Sequence, residues 1–294
     1  MPRGSEWSDR RRRLLRMIGS AGLAGLMAGC TGTDSSSPNS TESTERSETP
    51  TTAQCTENAS QVDSVTGTPA NVDSPPPGYT VARGEELYTT EFGNIDDWVI
   101  ETEDSDDVTS MTSDGLTIAS GGGTTAWLDQ VFEGNVLIEY DVVVPSHGEH
   151  ARVSDLNNFW MSDVKPGERS GAFPEYHDLR QYYVGHGGHD NKLNRFRRYP
   201  RGEYRDEGES LLGEYDGDPY LIDPDTLMTV QAMFYEGQAI YGVDGELFFR
   251  YVDSDPLTEG RFGFRTVNSR KQYQRLSVHR LANFCSDEPL EGSE

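Results

Sequence analysis

Residues 227 to 251 constrain the fold more than any other stretch. They read LMTVQAMFY, Glu236-Gly237, QAIYGV, Asp244-Gly245, ELFFRY. Three apolar runs of strand length are separated by two-residue turns, and a connection that short joins only antiparallel neighbours. The same grammar appears upstream in Trp98-Val99-Ile100, Leu116-Thr117-Ile118, Ala126-Trp127-Leu128 and Val136 to Val142. No long helical period interrupts these segments, so the crossover helices that parallel strands require are missing from the pattern. The expected fold is all-β, an antiparallel two-sheet jelly roll over residues 84–285 with an acidic tail at 286–294.

The first 83 residues follow different rules. Arg10 to Cys30 reads RRRRLLRMIGSAGLAGLMAGC: a basic cluster, then a Gly- and Ala-rich apolar run too short for a membrane-spanning helix, then a cysteine. Residues 1–29 read as an export signal resembling the twin-arginine type, and Leu26-Met27-Ala28-Gly29-Cys30 resembles a lipobox, so Cys30 is the expected lipidation site. Residues 30–83 are dominated by Ser, Thr, Pro and Glu and cannot bury enough apolar surface to fold, which makes them a tether between membrane and domain. The protein is expected outside the cytoplasm, anchored to the outer face of the cell membrane. A disulfide is permitted there, and Cys55 and Cys285 are left as either a pair or two free thiols.

Charge separates one region from the rest. The chain carries 25 Lys and Arg against 50 Asp and Glu, a net −25. Such a balance argues against a nucleic-acid partner, which needs a basic footprint. The stretch from Ala151 to Arg205 reverses the balance, with Arg152, Arg169, Arg180, Arg195, Arg197 and Arg198 among aromatics and amides. A cationic surface on an anionic protein favours an anionic partner. All but three of the basic residues are Arg, and this composition resembles that of salt-adapted archaea.

A family resemblance adds to this reading. Glu91-Phe92, Asp97-Trp98, Asp114-Gly115-Leu116, Tyr241 to Gly245 and Gly260 to Thr266 resemble the concanavalin A-like lectin/glucanase superfamily. Within it, Leu156 to Trp160, Tyr182 to Gly185 and Arg195 to Tyr199 resemble YesU-like proteins and neighbouring families of unassigned activity. The resemblance implies a concanavalin A-like sandwich, carbohydrate bound across its concave sheet, and use of extracellular polysaccharide containing uronate. It supplies no catalytic set.

Strand alternation proposes the site itself. A strand beginning at His177 would put His177, Gln181 and Tyr183 on one face, beside Arg195 and Arg197 of the next segment. Arg forks match carboxylate or sulfate, and aromatic rings cover the apolar faces of sugars. The candidate binding residues are Asn157, Asn158, Trp160, Gln181, Tyr182, Arg195, Arg197 and Arg198. A polysaccharide lyase would need a group to neutralise the uronate and a proton-transfer pair, for which His177 and Tyr183 are the candidates. Hydrolysis ranks lower because Glu175 and Asp178 fall on opposite faces of an extended strand. A non-catalytic lectin-like module is the alternative to an enzyme. The GHGGHDN run holding His186 and His189 reads as a turn more than a metal site. No cofactor is expected, although acidic loops such as Asp216-Gly217-Asp218 leave room for a structural calcium.

Overall fold

The computed structural model describes residues 76–103, 108–112, 114–200 and 210–287. They form two antiparallel β layers, as the hairpin grammar requires. In chain order the strands are β1 (Tyr79–Thr90), β2 (Trp98–Thr102), β3 (Val108–Thr112), β4 (Gly115–Leu128), β5 (Phe132–Glu133), β6 (Val136–Val143) and β7 (Leu156–Ser162). Then come β8 (Gln181–Gly187), β9 (Leu193–Tyr199), β10 (Leu211–Tyr215), β11 (Met228–Tyr235), β12 (Gln238–Val243), β13 (Glu246–Val252) and β14 (Glu259–Ser286). The predicted hairpins are β11–β12 and β12–β13, and their turns place Glu236, Gly237, Asp244 and Gly245 at positive φ.

The first layer runs β10-β9-β8-β7, then the first third of β14, then the end of β4, then β2. The second runs β13-β12-β11-β6 to the middle of β14, with the start of β4 and β3 on its far side and β1 further along. β14 and β4 therefore belong to both layers. They change layer where their mutual register slips, between Val267 and Ser269.

Alternation along each strand sends one set of side chains into the space between layers. Trp160, Tyr182, Val184, Phe196, Phe262 and Phe264 from the first layer meet Tyr140, Phe234, Tyr241 and Phe248 from the second. The rings interlock, Phe196 lying 5.5 Å from Phe249 and Tyr140 edge-on to Phe264 at 4.9 Å. A smaller cluster of Trp127, Phe159, Val164, Tyr176, Leu179, Tyr183 and Tyr199 lies on the outer face of the first layer, roofed by the β7–β8 connection. Gly263 permits this, because a Cβ there would sit 2.5 Å from the Trp127 ring.

At the layer change, Lys271 is fully buried. Its ammonium donates to the Ser154 carbonyl (2.7 Å), Ser269 Oγ (2.6 Å) and Thr266 Oγ1 (3.1 Å), tying the segment before β7 to the bend of β14. Cys285 is disulfide-bonded, whereas Cys30 and Cys55, with the export and lipidation expectations and the tether up to residue 75, lie outside the described residues; the end of the expected tether is corrected, since Tyr79 to Arg83 pair with β14 as the start of β1. Among the described residues no helix is long and apolar enough to cross a membrane.

Burial lowers the Lys271 pKa to about 7 from its usual 10.5, with Asp155 pulling the other way. Between those values the unfolded chain holds the proton and the folded one does not, so stability rises with pH across that window and the slope vanishes below it. Urea denaturation at several pH values should show that rise, and Lys271→Met should remove it. Equal slopes in both proteins would refute the assignment.

Candidate functional site

The outer face of the first layer carries a transverse row of paired residues: Glu214, Arg195, Gly185, Asn157, Arg265, Thr125, Glu101. Each lies opposite the next on neighbouring strands, so all seven side-chain positions face the same way. The row behind it holds Arg197, Tyr183, Phe159, Gly263 and Trp127. Aromatics fill the part of the face under the β7–β8 connection, and polar groups line the part beyond it.

That polar part is a cleft of about 500 Å³. Its lining includes Asn157, Arg195, Arg197 and Arg265 from the sheet, Phe173 and Pro174 from the β7–β8 connection, and Arg152, Asp155 and His189 from the opposite rim. Glu103 is there as well, giving four guanidinium groups against two carboxylates. Gly185 deepens the floor. The Tyr183 ring lies along the strand above it, and a Cβ at Gly185 would come within 3.0 Å of the Tyr183 hydroxyl.

Arg265 sits at the centre, 1% exposed. Its Nη1 donates to Thr125 Oγ1 (2.9 Å) and to the Gly171 carbonyl (2.6 Å), and its guanidinium carbon lies 5.2 Å from the Phe173 ring and 5.3 Å from that of Tyr176. Its Nε is buried without a hydrogen-bond partner, and no carboxylate among the described residues forms an ion pair with it. Burial pushes its pKa below the usual value, yet a guanidinium keeps its charge in proteins. Opposite it on β7, Asn157 is 2% exposed and its Oδ1 also lacks a partner. The other cations are engaged: Arg195 with Glu214, Arg152 with Asp155 and Asp190, and Arg197 with Ser210 Oγ at 2.9 Å.

One carboxylate assembles the cleft wall. Glu101 is buried at the end of the row and accepts from Trp127 Nε1 (2.9 Å), Tyr176 Oη (2.7 Å), Gly167 N (2.8 Å) and Arg169 N (3.2 Å). The β7–β8 connection is thereby held to the sheet, with Phe173 beside Arg265.

The structure brings together Asn157, Tyr183, Arg195 and Arg197 of the residues singled out from sequence. It sends Asn158, Trp160, Tyr182 and Arg198 to the opposite face. Asn158 accepts from Tyr140, Trp160 Nε1 donates to the Met233 carbonyl, and Arg198 and Tyr182 share Asp253. Gln181 faces outward but lies under the roof, bonded to Ser162 Oγ and the Tyr176 carbonyl. His177 corrects the expected strand start: β8 begins at Gln181, a 3₁₀ turn occupies Phe173–Tyr176, and the imidazole stacks on Tyr199 at 4.8 Å outside the cleft lining. Burial pushes the Tyr183 phenol far above its usual pKa, so it stays protonated. The two groups named for proton transfer therefore do not face one another across the cleft. Glu175 bonds Ser170 and Asp178 pairs with Arg169, so they do not flank a common ligand either.

Four charged residues of the cleft were not among the candidate site residues, namely Arg265, Arg152, Asp155 and Glu103, and neither was Phe173. Arg265 had a legible signal, since Phe262 and Phe264 fix the inward phase of β14 and leave Arg265 outward on a central strand. Within GHGGHDN, His186 is buried beside Tyr241 and His189 stands 3.3 Å from Arg195 at the rim. Among the described residues no three His, Cys, Asp or Glu side chains group to hold a metal ion, so the calcium expectation finds no cluster there. Asp225 of one acidic loop instead accepts from Ser146.

A family model described as "Domain of unknown function (DUF6250)" matches residues 118–276. Among solved structures, a protein of unknown function with a galectin-like fold from Bacillus subtilis is similar, with a TM-score of 0.56 and 17% identity over 69% of this chain and 99% of that one. The carbohydrate binding module CBM66 from Bacillus subtilis gives 0.44 and 15% over 62% of this chain and 95% of its own. The exoplasmic/lumenal domain of VIP36 in its calcium- and mannose-bound form gives 0.46 and 12% over 67% and 91%. No curated protein matches.

Removing the Glu101 carboxylate leaves buried donors on Trp127 and Tyr176 without their acceptor, a loss on the order of 3 kcal/mol. Glu101→Ala should lower the urea midpoint and speed proteolysis within residues 163–180, read by mass spectrometry of the fragments. Cleavage unchanged there would show that the connection is held by other contacts.

Proposed function

We propose that this chain, which belongs to the DUF6250 family, binds an anionic polysaccharide in the cleft on the outer face of its first layer. One observation carries the reading: Arg265 is a buried cation with a free Nε and no ion-pair partner among the described residues, at the floor of an open cleft. Glu103 and Asp155 act on this guanidinium through space without an ion pair to it, and a ligand carboxylate or sulfate would supply a directly bonded partner bidentately. The surroundings suit a sugar. Phe173 offers a ring, Asn157 an unused amide, and Arg195 and Arg197 further donors along the same face.

The wider protein fits this role. An acidic chain of net −25 directs an anionic polymer to this arginine-lined cleft by repelling it elsewhere. The superfamily resemblance read from the sequence implies uronate-containing polymers, and a lipid anchor at Cys30 would hold such a module at the outer membrane surface. The proposed activity is binding.

Calorimetry with polygalacturonate, alginate, a sulfated galactan and a neutral glucan at high salt tests the reading. Acidic chains should bind and the neutral one should not. Arg265→Gln should weaken acidic binding about tenfold or more, with near-ultraviolet circular dichroism showing that the fold persists; Arg197→Gln, bonded at the cleft edge, is the second variant should the first unfold. Equal binding of neutral and acidic chains sinks the proposal. Ultraviolet absorbance from an unsaturated product would replace binding with lyase chemistry.

A further inference from the structure

The open floor of the cleft stops at Arg265. Its sheet residues come from four neighbouring strands, Arg195 on β9, Gly185 on β8, Asn157 on β7 and Arg265 on β14, and three strand spacings make a floor about 14 Å long. The same face continues past Arg265 to Thr125 on β4 and Glu101 on β2, but there it is covered. Gly167 N and Arg169 N donate to Glu101, so the roof is bonded down over β2 itself. Nearer the cleft the roof comes onto the sheet at Gly171, whose carbonyl accepts from Arg265 at 2.6 Å. A Cβ at Gly171 would lie 2.7 Å from the Gly123 carbonyl, 2.8 Å from Thr102 Cα and 2.9 Å from Glu103 N. Backbone packed that closely leaves no passage for a sugar ring.

The remaining sides differ. Phe173 and Pro174 of the roof form one long wall. The other is tied together by Arg152, which donates to the Val267 carbonyl on β14 (3.2 Å) and pairs with Asp155 and with Asp190 beyond β8. At the far end, among the described residues, nothing from beyond β9 lines the cleft; β10 is the sheet edge, and its Glu214 meets Arg195 in a partly exposed ion pair. Charge follows the same direction. Arg195, Arg197 and Arg265 lie along the floor, whereas the exposed Glu103 and the buried Glu101 stand at the closed end, so an anionic chain is drawn in from the β10 side and opposed past Arg265. The volume of about 500 Å³ is that of a small-molecule site and not of a groove for a long polymer.

Resting on the acidic-polysaccharide reading, we propose that the cleft takes the end of the polysaccharide chain and not its interior. The terminal acidic sugar lies over Arg265 against the wall made by Gly171 and Glu103, and the rest of the chain leaves past Arg195 over the β10 edge. The number of binding sites on a polymer is then set by its chain ends, whatever its length. Polysaccharide that has already been cut is the richer target.

The experiment compares polygalacturonate and alginate, each intact and after partial acid hydrolysis, at equal mass. Calorimetry at high salt reads how much protein each sample holds. For a polymer that binds, hydrolysis should raise that capacity per gram by the same factor as it raises the number of chains. Arg265→Gln should weaken binding of the fragments about tenfold or more. Capacity per gram that is unchanged or falls on hydrolysis would overturn this inference, because interior sites are not created by cutting, and would leave the acidic-polysaccharide reading standing. Failure of both polymers and their fragments to bind would overturn that underlying reading instead.

Discussion

The architecture depends on one strand that serves two layers. β14 runs 28 residues and pairs with β1, β4, β5, β6 and β7. Its early part supplies the middle of the first layer and its later part the middle of the second, so a single backbone fixes how the layers are offset. A strand inside two sheets must bend, and the register slip between Val267 and Ser269 is where it does. The bend turns a polar segment inward, and the buried Lys271 ammonium meets the carbonyl and hydroxyls that this exposes. Without those donors the layer change would leave acceptors unpaired in the interior, which is costlier than burying one well-bonded lysine.

The cleft follows from that geometry. Because β14 lies at the centre of the first layer, Arg265 is flanked on both sides by strands and cannot reach bulk water, as a residue on an edge strand would. Glu101 then brings the β7–β8 connection down over the aromatic half of the same face, and Arg265 bonds the Gly171 carbonyl of that connection. Two buried ionic groups thus hold the roof, and they differ in what they leave over. Glu101 takes up donors from ring, phenol and backbone, whereas Arg265 has more donors than the protein supplies acceptors. That surplus is what the proposed ligand would take up.

Much of the fold was legible from the chain. Hairpin turns such as Glu236-Gly237 and Asp244-Gly245 act over a few residues, and alternation over strand length splits neighbouring side chains, so antiparallel pairing and the opposite facing of Tyr182 and Tyr183 follow from local rules, whereas Tyr182, named as a binding residue, turned out to be the inward one. The pairing of β8 with β9, setting Tyr183 beside Arg197, also followed from alternation in neighbouring segments. The rules fail where the chain leaves the strand period. His177 was assigned to a strand, but Ala172-Phe173-Pro174 begins a 3₁₀ turn, Pro occupying an early position where its missing N–H costs nothing, and the face assignment built on strand spacing lapsed with it. Asn158, Trp160 and Arg198 carry the chemistry of a binding surface, yet their phase sends them inward, where Tyr140, Met233 and Asp253 meet their polar atoms.

By itself the sequence determined the all-β class, the order of the hairpins, the charge contrast and the presence of an arginine- and aromatic-rich region. It did so because turn geometry, side-chain period and net charge are properties of short segments or of sums. Only the tertiary structure decided that Arg265, more than a hundred residues from Asn157, completes the floor, and that Glu101 fixes its wall. Those partnerships come from strand register across the sheet, which brings distant segments side by side and is set by the packing of the whole core.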